Sequence, residues 1–372
     1  MKIALTTDYL NQYGGAERTI EALHEVWPEA PIYTSVYEKE EMERLGFDTK
    51  STEVRTSFVQ HLPLRKILPR YYFTLFYPFA FQSFDFQDYE VILTTSSYAA
   101  KDIRKPKGSL HLAYIHTPPR FLYGFDQETS VDRMNPLEKF LAGVWKVYLR
   151  YRDQRSVKTI DRIFSNSKNV QARVKKIYGR DSEVLYPPVE TARFAGTPRD
   201  GGYWIVVSRL GEYKKIDLVV KAFNELGLPL KVVGSGPQLQ YLRQIAKENV
   251  EILGRKSDDD TKELLLNARA FIFPTDEDFG IAPLEAMAAG KPVLAYGKGG
   301  SLETILPGKT GEFFSEQSVG AITEAVKNFN HQKYSPADCR ARAKEFDIEV
   351  FKIRVRSLVE SAVSGKITCQ QG

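Results

Sequence analysis

Cysteine is nearly missing from this chain. Cys339 and Cys369 stand far apart, in neither a redox nor a metal-ligand spacing, so a disulfide framework is excluded and a reducing compartment fits best. Long apolar runs are missing as well: the most apolar stretch, 71–84, falls short of the roughly 20 residues a bilayer crossing needs, and Asp85 closes it. The chain opens Met1-Lys2-Ile3-Ala4-Leu5 and reaches Asp8 at once, which leaves no room for the apolar core of a signal peptide; residence in the cytoplasm is therefore expected. Histidine is sparse, five in all, with no cluster at ligand spacing, so neither a bound metal nor a cofactor is expected. The loop after the first strand lacks Gly-x-Gly-x-x-Gly, which argues against a nicotinamide-dependent dehydrogenase. Short tandem repeats and low-complexity tracts are lacking too.

What is there suits a globular protein of two domains, the natural expectation for 372 residues, since single cores stop growing near 250–300. Hydrophobic residues make up 42% and charged residues 27%, which excludes long disorder. The net charge of +5 is modest, but 139–180 holds twelve Lys and Arg against Asp153 and Asp161. That stretch is a candidate for an anionic partner. A nucleic-acid reading of it is weak, because no recognised motif accompanies the charge.

Short β-branched runs alternate with amphipathic segments along the whole chain, the pattern of parallel strands joined by crossover helices, so the class is α/β. Strands are expected over 2–7, 31–36, 91–95, 110–115, 162–165 and 183–185. A second series follows at 203–208, 230–233, 250–253, 270–273, 292–295 and 312–314. Between them, 186–202 carries three prolines and three glycines without periodicity and reads as a linker. The expected division is 1–188, 189–346, and 347–372 as a final helix packing back on the first domain through Val350, Phe351, Val355, Leu358 and Val359.

Four loops gather chemistry where strands end. Asp8 to Glu17, with Gly14 and Gly15, lies between the first strand and a helix, where backbone N–H groups can face an anion, although paired glycines also make plain turns. His116 ends the fourth expected strand and precedes Thr117-Pro118-Pro119, a rigid turn that suits either a cleft-facing or a structural histidine. Ser208-Arg209-Leu210-Gly211-Glu212-Tyr213-Lys214 brings two cations to the end of the second domain's first strand, fit for a diphosphate or simply solvated. The most informative segment is Pro274-Thr275-Asp276-Glu277-Asp278-Phe279-Gly280-Ile281-Ala282-Pro283-Leu284-Glu285. Acids cluster where a strand ends, Pro283 sits in the first turn of the next helix, and free N–H groups around Phe279, Gly280, Ile281 and Ala282 can hold anionic oxygens.

Taken in order, Gly14-Gly15-Ala16-Glu17-Arg18, His116-Thr117-Pro118, Ser165-Asn166-Ser167 with Tyr186-Pro187-Pro188-Val189, Ser208-Arg209-Leu210 with Lys214, and Glu277 to Glu285 resemble the retaining family 4 glycosyltransferases of the GT-B fold. The pattern is most similar to O-antigen and lipid-linked mannosyltransferases that use GDP-mannose. The resemblance implies two Rossmann-like domains facing across a cleft. It implies that Arg209 and Lys214 bind the donor diphosphate, that Glu285 takes the ribose hydroxyls and Glu277 the donor sugar, and that His116 lies near the anomeric centre. Gly14 and Gly15 would let the backbone approach donor and acceptor, and the base would lie beside Gly254-Arg255-Lys256. Asp278 stands where many relatives have Gly, which looks like a subgroup mark. The implied partners are a nucleotide diphosphate-sugar and a glycan or lipid-linked acceptor. From the residues themselves, 61–84 mixes Arg65, Lys66 and Arg70 with Leu64, Leu68, Tyr72, Phe73, Leu75, Phe76 and Phe79, and together with the basic stretch 139–180 it leads us to expect an anionic membrane surface met from the cytoplasmic side, the alternative being that the aromatics are domain core and the cations solvated. No metal is implied. The rival readings are an epimerase or hydrolase acting on nucleotide-sugars with the same fold, or a basic nucleic-acid-binding protein.

Overall fold

The computed structural model describes residues 1–63, 73, 76–124 and 136–370. The chain divides into two compact units, Met1–Pro188 with Phe351–Gly372, and Val189–Val350. The first contains β1 (Ile3–Thr7), β2 (Ile32–Thr34), β3 (Val54–Thr56), β4 (Val91–Ser96), β5 (Leu110–Ile115), β6 (Arg162–Ser165) and β7 (Glu183–Val184). Its helices are α1 (Gly15–Val26), α2 (Lys39–Arg44), α3 (Tyr77–Gln82), α4 (Arg120–Tyr123), α5 (Pro136–Val157) and α6 (Lys168–Tyr178). The strands form one parallel sheet in the order β3-β2-β1-β4-β5-β6-β7. The order reverses between β1 and β4, where the connections leave to opposite sides and a crevice opens beyond the carboxyl ends.

Every residue of β4 and β5 is buried, as befits central strands covered by helices on both faces. Several polar groups inside pair across the strands, although Tyr114 Oη and His111 Nδ1 on β5 have no hydrogen-bond partner among the described residues. Thr6 Oγ1 meets Thr94 Oγ1 at 2.7 Å, and Thr94 Oγ1 meets His111 Nε2 at 3.0 Å. Burial pushes the His111 imidazole down to about 3, so it is a neutral core group. Lys101 and Asp153 form a buried ion pair at 2.6 Å. Asp153 also accepts from Tyr123 Oη at 2.7 Å, which ties α5 to the short helix that follows His116.

The second unit contains β8 (Trp204–Val207), β9 (Leu230–Val233), β10 (Val250–Gly254), β11 (Ala270–Phe273), β12 (Val293–Tyr296) and β13 (Gly311–Phe314). Around them lie α7 (Ile216–Leu226), α8 (Leu239–Ile245), α9 (Asp258–Asn267), α10 (Ile281–Ala288), α11 (Ser301–Thr304), α12 (Val319–Asn328) and α13 (Pro336–Lys344). This sheet is also parallel, ordered β10-β9-β8-β11-β12-β13, with its reversal between β8 and β11.

The last helix, α14 (Ile348–Gln370), begins in the second unit and ends in the first. Phe351, Val355, Val359 and Ala362 are buried along one stripe. Phe351 meets Tyr114 edge-on at 6.2 Å, Lys352 pairs with Glu25, and Arg162 reaches Ser361 at 3.4 Å. Two expectations need correction. The return starts at 351 rather than 347, because Val189 N donates to Phe346 O and Ile348 N to Val189 O, both at 3.0 Å, which keeps 347–350 with the second unit. Val350 is exposed and Leu358 only partly buried, since the stripe is one residue narrower on each side.

Lys291 places an ammonium inside the second unit. It is 4% exposed and donates to Arg199 O at 2.6 Å, and burial pushes its ammonium down to about 8. A folded-state value below that of the unfolded chain means the penalty for holding the charge is complete below pH 8 and is relieved as pH climbs toward about 10.4. Lys291→Met is therefore expected to stabilise the protein at pH 7. The relieved penalty is up to about 3 kcal/mol, offset by about 1 kcal/mol for the lost hydrogen bond. Melting temperatures of both proteins from pH 6 to 10 check this: the advantage of the variant must shrink above pH 8, and a constant gap contradicts it.

Candidate active site

The reversal point of the second sheet carries the densest set of candidate residues. β8 runs into Ser208-Arg209-Leu210, and Leu210 is fully buried. Its N–H donates to Ser235 O at 2.9 Å and its carbonyl accepts from Gln238 N at 2.9 Å. This lock needs glycine at two places in the neighbouring loop. A Cβ on Gly234, whose φ is +146°, would lie 1.8 Å from Ser208 O, and one on Gly236, at φ +155°, 2.5 Å from Leu210 O. Held from beneath, Arg209 stands exposed at the strand end and forms no ion pair among the described residues. The chain then turns through Glu212–Lys214 to Lys215, a non-glycine residue at φ 55°, a strained conformation of the kind found where a loop is held for function.

Lys214 itself is 8% exposed and lies 4.8 Å above the Tyr213 ring. Its ammonium pairs with the carboxylate of Glu277, which follows β11, so the pair bridges the two strands that flank the reversal. Thr275 Oγ1 donates to Lys214 O at 3.0 Å and joins the same loops through the backbone. On the far side Gly300 N donates to Glu277 O at 2.9 Å. Cβ atoms on Gly299 and Gly300 would meet Glu277 O at 2.4 Å and Phe279 Cα at 2.2 Å. The acid loop is thus gripped from both neighbouring strand ends.

Asp278 and Phe279 are buried, with Phe279 against Phe346 at 5.6 Å. Gly280, at φ 85°, caps α10 without a side chain, so Ile281 and Ala282 open the helix with N–H groups no cap has taken. Glu285 lies in the second turn and pairs with Arg193 at 3.5 Å. Gly254, at φ +72°, accepts from Gly234 N at 2.9 Å. Arg255 and Lys256 follow it, exposed at the end of β10. That strand lies two places from β8, roughly 10 Å away at ordinary strand spacing, about the reach from a diphosphate to its base.

The acids include two Asp-x-Asp spacings, Asp258 with Asp260 and Asp276 with Asp278. Asp258 pairs with Arg193 at 2.7 Å and Asp276 with Lys298 at 3.6 Å. Among the described residues no three His, Cys, Asp or Glu side chains converge as ligands of one ion.

The sequence-predicted residues of the first unit have largely structural partners. Asp8 accepts from the N–H groups of Ser97, Tyr98, Ala99 and Ala100 at 2.6–2.9 Å, holding the loop beyond β4. Gly14 is extended, at φ −158°, and donates to Glu17 Oε2 at 2.9 Å. Gly15 opens α1. The N-terminus of that helix already faces a carboxylate, which weakens it as an anion site. His116 is half-buried, with its backbone N–H donating to Ser96 O at 3.0 Å and its ring edge-on to Tyr114 at 5.0 Å. The cations of 139–180 are spread over several elements and partly engaged: Arg152 with Asp102 at 2.7 Å, Lys175 with Asp181 at 2.7 Å, and Arg180 with the Val157 and Ile160 carbonyls at 2.9 Å.

Residues 190–346, nearly the whole second unit, match the family model described as "Glycosyl transferases group 1". By this match the second unit is similar to the group 1 glycosyl transferases. The chain is 31% identical over 192 residues to a GDP-mannose-dependent alpha-(1-6)-phosphatidylinositol monomannoside mannosyltransferase of Mycolicibacterium smegmatis, covering 43% of this chain and 50% of that one. It is 26% identical over 280 residues to the alpha-1,3/1,6-mannosyltransferase ALG2 of Dictyostelium discoideum, covering 61% and 64%. It spans about half the length of most of the curated relatives it matches. Among solved structures, the Anabaena protein HepE in complex with UDP superposes with a TM-score of 0.71 at 16% identity, covering 97% of this chain and all of the other chain. Sucrose-phosphate synthase from Thermosynechococcus elongatus gives 0.73, also at 16%, covering 98% and 100%. These likenesses establish the GT-B fold, with two Rossmann-like domains.

Proposed function

We propose that this protein is a glycosyltransferase that moves a hexose, preferentially mannose from GDP-mannose, to a glycan or lipid-linked acceptor with retention of configuration and without a metal. The observation that carries the reading is the Lys214–Glu277 pair across the reversal point, set between exposed Arg209 and the uncapped start of α10. The bond from C1 of the sugar to the β-phosphate oxygen breaks, and its electron pair leaves with the diphosphate. Lys214, Arg209 and the Ile281 and Ala282 N–H groups offset that growing charge. The acceptor oxygen then bonds C1 from the same face and gives its proton to the departing phosphate. Glu277 receives donor-sugar hydroxyls, Glu285 the ribose, and His116 the region of the anomeric centre. The mannose preference draws on relatives named as mannosyltransferases, among them the O-antigen chain enzyme of Salmonella typhimurium.

Thermal shift against a panel of nucleotide-sugars tests the donor. At a hundred times its dissociation constant a donor stabilises by about 2.7 kcal/mol, so GDP-mannose should raise the melting temperature by several degrees and UDP-sugars less. Stabilisation by UDP-glucose alone would overturn the mannose reading. Activity should survive a chelator unchanged, and a strict Mg²⁺ or Mn²⁺ requirement would contradict the metal-free step.

The reading also places the protein at a membrane, on its cytoplasmic face. No described helix is long and apolar enough to cross one. Of the residues expected to bind the surface, Leu64, Arg65, Lys66, Leu68, Arg70, Tyr72 and Leu75 lie outside the described residues. α5 instead turns apolar side chains outward: Val144, Val147 and Tyr151 are exposed, at 68% for Val147 and 61% for Tyr151, with Trp145 beside them. Exposed Phe79 on α3 adjoins through Arg152, 5.1 Å above its ring. With Lys146, Arg150 and Arg155 on the same helix, this surface suits anionic headgroups. Sedimentation with anionic vesicles should exceed that with neutral ones, weaken with salt, and drop several-fold in Val147→Asp/Tyr151→Asp. Equal, negligible binding to both at low salt would remove the membrane.

A further inference from the structure

The linker does more than join the units. Beyond Pro188 it is seated on the second unit by the Val189 bonds to Phe346 and Ile348 and by Thr191 Oγ1 on Asp347, then closes a 3-10 turn, Thr191–Phe194. Arg193 leaves this turn between two acids. Its Nη1 lies 2.7 Å from Asp258 Oδ2, at the first residue of α9, and its Nη2 3.5 Å from Glu285 Oε1. The guanidinium also rests 4.8 Å above the ring of Phe194, which is fully buried. Two carboxylates and a fixed ring leave the plane of the fork little freedom. Of the three, Asp258 is mostly exposed, whereas the Glu285 side chain is 14% exposed and the Arg193 side chain 21%.

We propose that Arg193 is a positioning residue: it sets the rotamer of Glu285 so that the carboxylate meets the ribose diol, and so makes ribose recognition depend on the linker turn. This rests on the reading of Glu285 given above. A planar five-donor group can serve both acids at once, which a lysine ammonium does less well. A site built to accept hydroxyl protons discriminates against the analogue lacking them, because its acceptor is then left unmatched. Ribose discrimination is therefore the readout, and a merely structural arginine would not move it selectively.

Calorimetry with GDP and UDP, each beside its 2′,3′-dideoxy analogue, gives that readout; the base that binds the wild type more tightly is carried forward. The wild type should prefer the ribose form at least tenfold. Glu285→Gln should abolish the preference. Arg193→Gln should cut it at least threefold while affinity for the dideoxy form stays within twofold of wild type, and the double variant should lose no more than Glu285→Gln alone. Arg193→Lys should fall between Arg193→Gln and wild type, and it carries the test if Arg193→Gln does not fold. Full preference in the Arg193 variants overturns the inference, as does an equal loss for both forms of the nucleotide. If Glu285→Gln keeps the preference, the ribose reading of Glu285 itself fails, and the inference falls for that separately visible reason.

Discussion

Glu277→Gln is expected to lower transfer at least a hundredfold in kcat while leaving the fold in place. The position explains both halves. Glu277 sits in a loop whose main chain is held independently of its side chain, by Gly300 N on Glu277 O and by Thr275 on Lys214 O. Its side chain is 25% exposed, so little packing is lost, and glutamine keeps an acceptor for the Lys214 ammonium. What disappears is the charge. A carboxylate that grips the sugar hydroxyls more tightly as the ring flattens toward an oxocarbenium ion contributes to the rate rather than to ground-state binding, and one preorganised electrostatic contact of this kind is worth about 10²–10³ in rate. The expected signature is a fall in kcat with the dissociation constant for the nucleoside diphosphate little changed, in a protein that still folds cooperatively but melts lower, because the buried Lys214 ammonium loses its counter-charge. Retention of more than half the activity would remove Glu277 from the site.

Both sheets were legible because period and length carry parallel strands well: Lys-Ile-Ala-Leu-Thr-Thr, Val-Ile-Leu-Thr-Thr and Ala-Phe-Ile-Phe are short apolar runs ended by turn residues. β3 was not foreseen. It has three residues, Val54-Arg55-Thr56, none buried, so an edge strand of that length leaves no pattern. At the site, the acids and cations stood out as residue types, but their supports did not. Gly234, Gly236, Gly299 and Gly300 act by close approach of backbones from neighbouring strands, which spacing within one loop does not reveal; Gly-Ser-Gly after β9 and Gly-Gly after β12 were the only traces. Arg193 was hidden for the same reason, since its two acids lie 65 and 92 positions away in sequence.

Arg209 and Lys214 are expected to separate when replaced, although both meet the diphosphate. A charge-assisted phosphate contact contributes about 1.5–3 kcal/mol, so Arg209→Ala and Lys214→Met should each weaken binding of the nucleoside diphosphate about tenfold or more. Arg209 is exposed, and its loss should leave the melting temperature unchanged. Lys214 is buried, and its loss strands the Glu277 carboxylate in a partly desolvated loop, so Lys214→Met should also destabilise the protein; removing one partner of a buried pair costs more than the pair itself supplies. The coupling follows. In a Glu277→Gln background the stability cost of Lys214→Met should largely vanish, because no charge is left stranded, while the affinity loss should persist, because the phosphate still lacks its cation. Calorimetry and thermal melts on the four proteins of this cycle, with Arg209→Ala beside them, read both quantities. Wild-type affinity in Arg209→Ala and Lys214→Met would take the two cations out of the site. A stability cost of Lys214→Met that is equally large with Gln at 277 would show that the Lys214–Glu277 pair does not hold the two loops together across the reversal point.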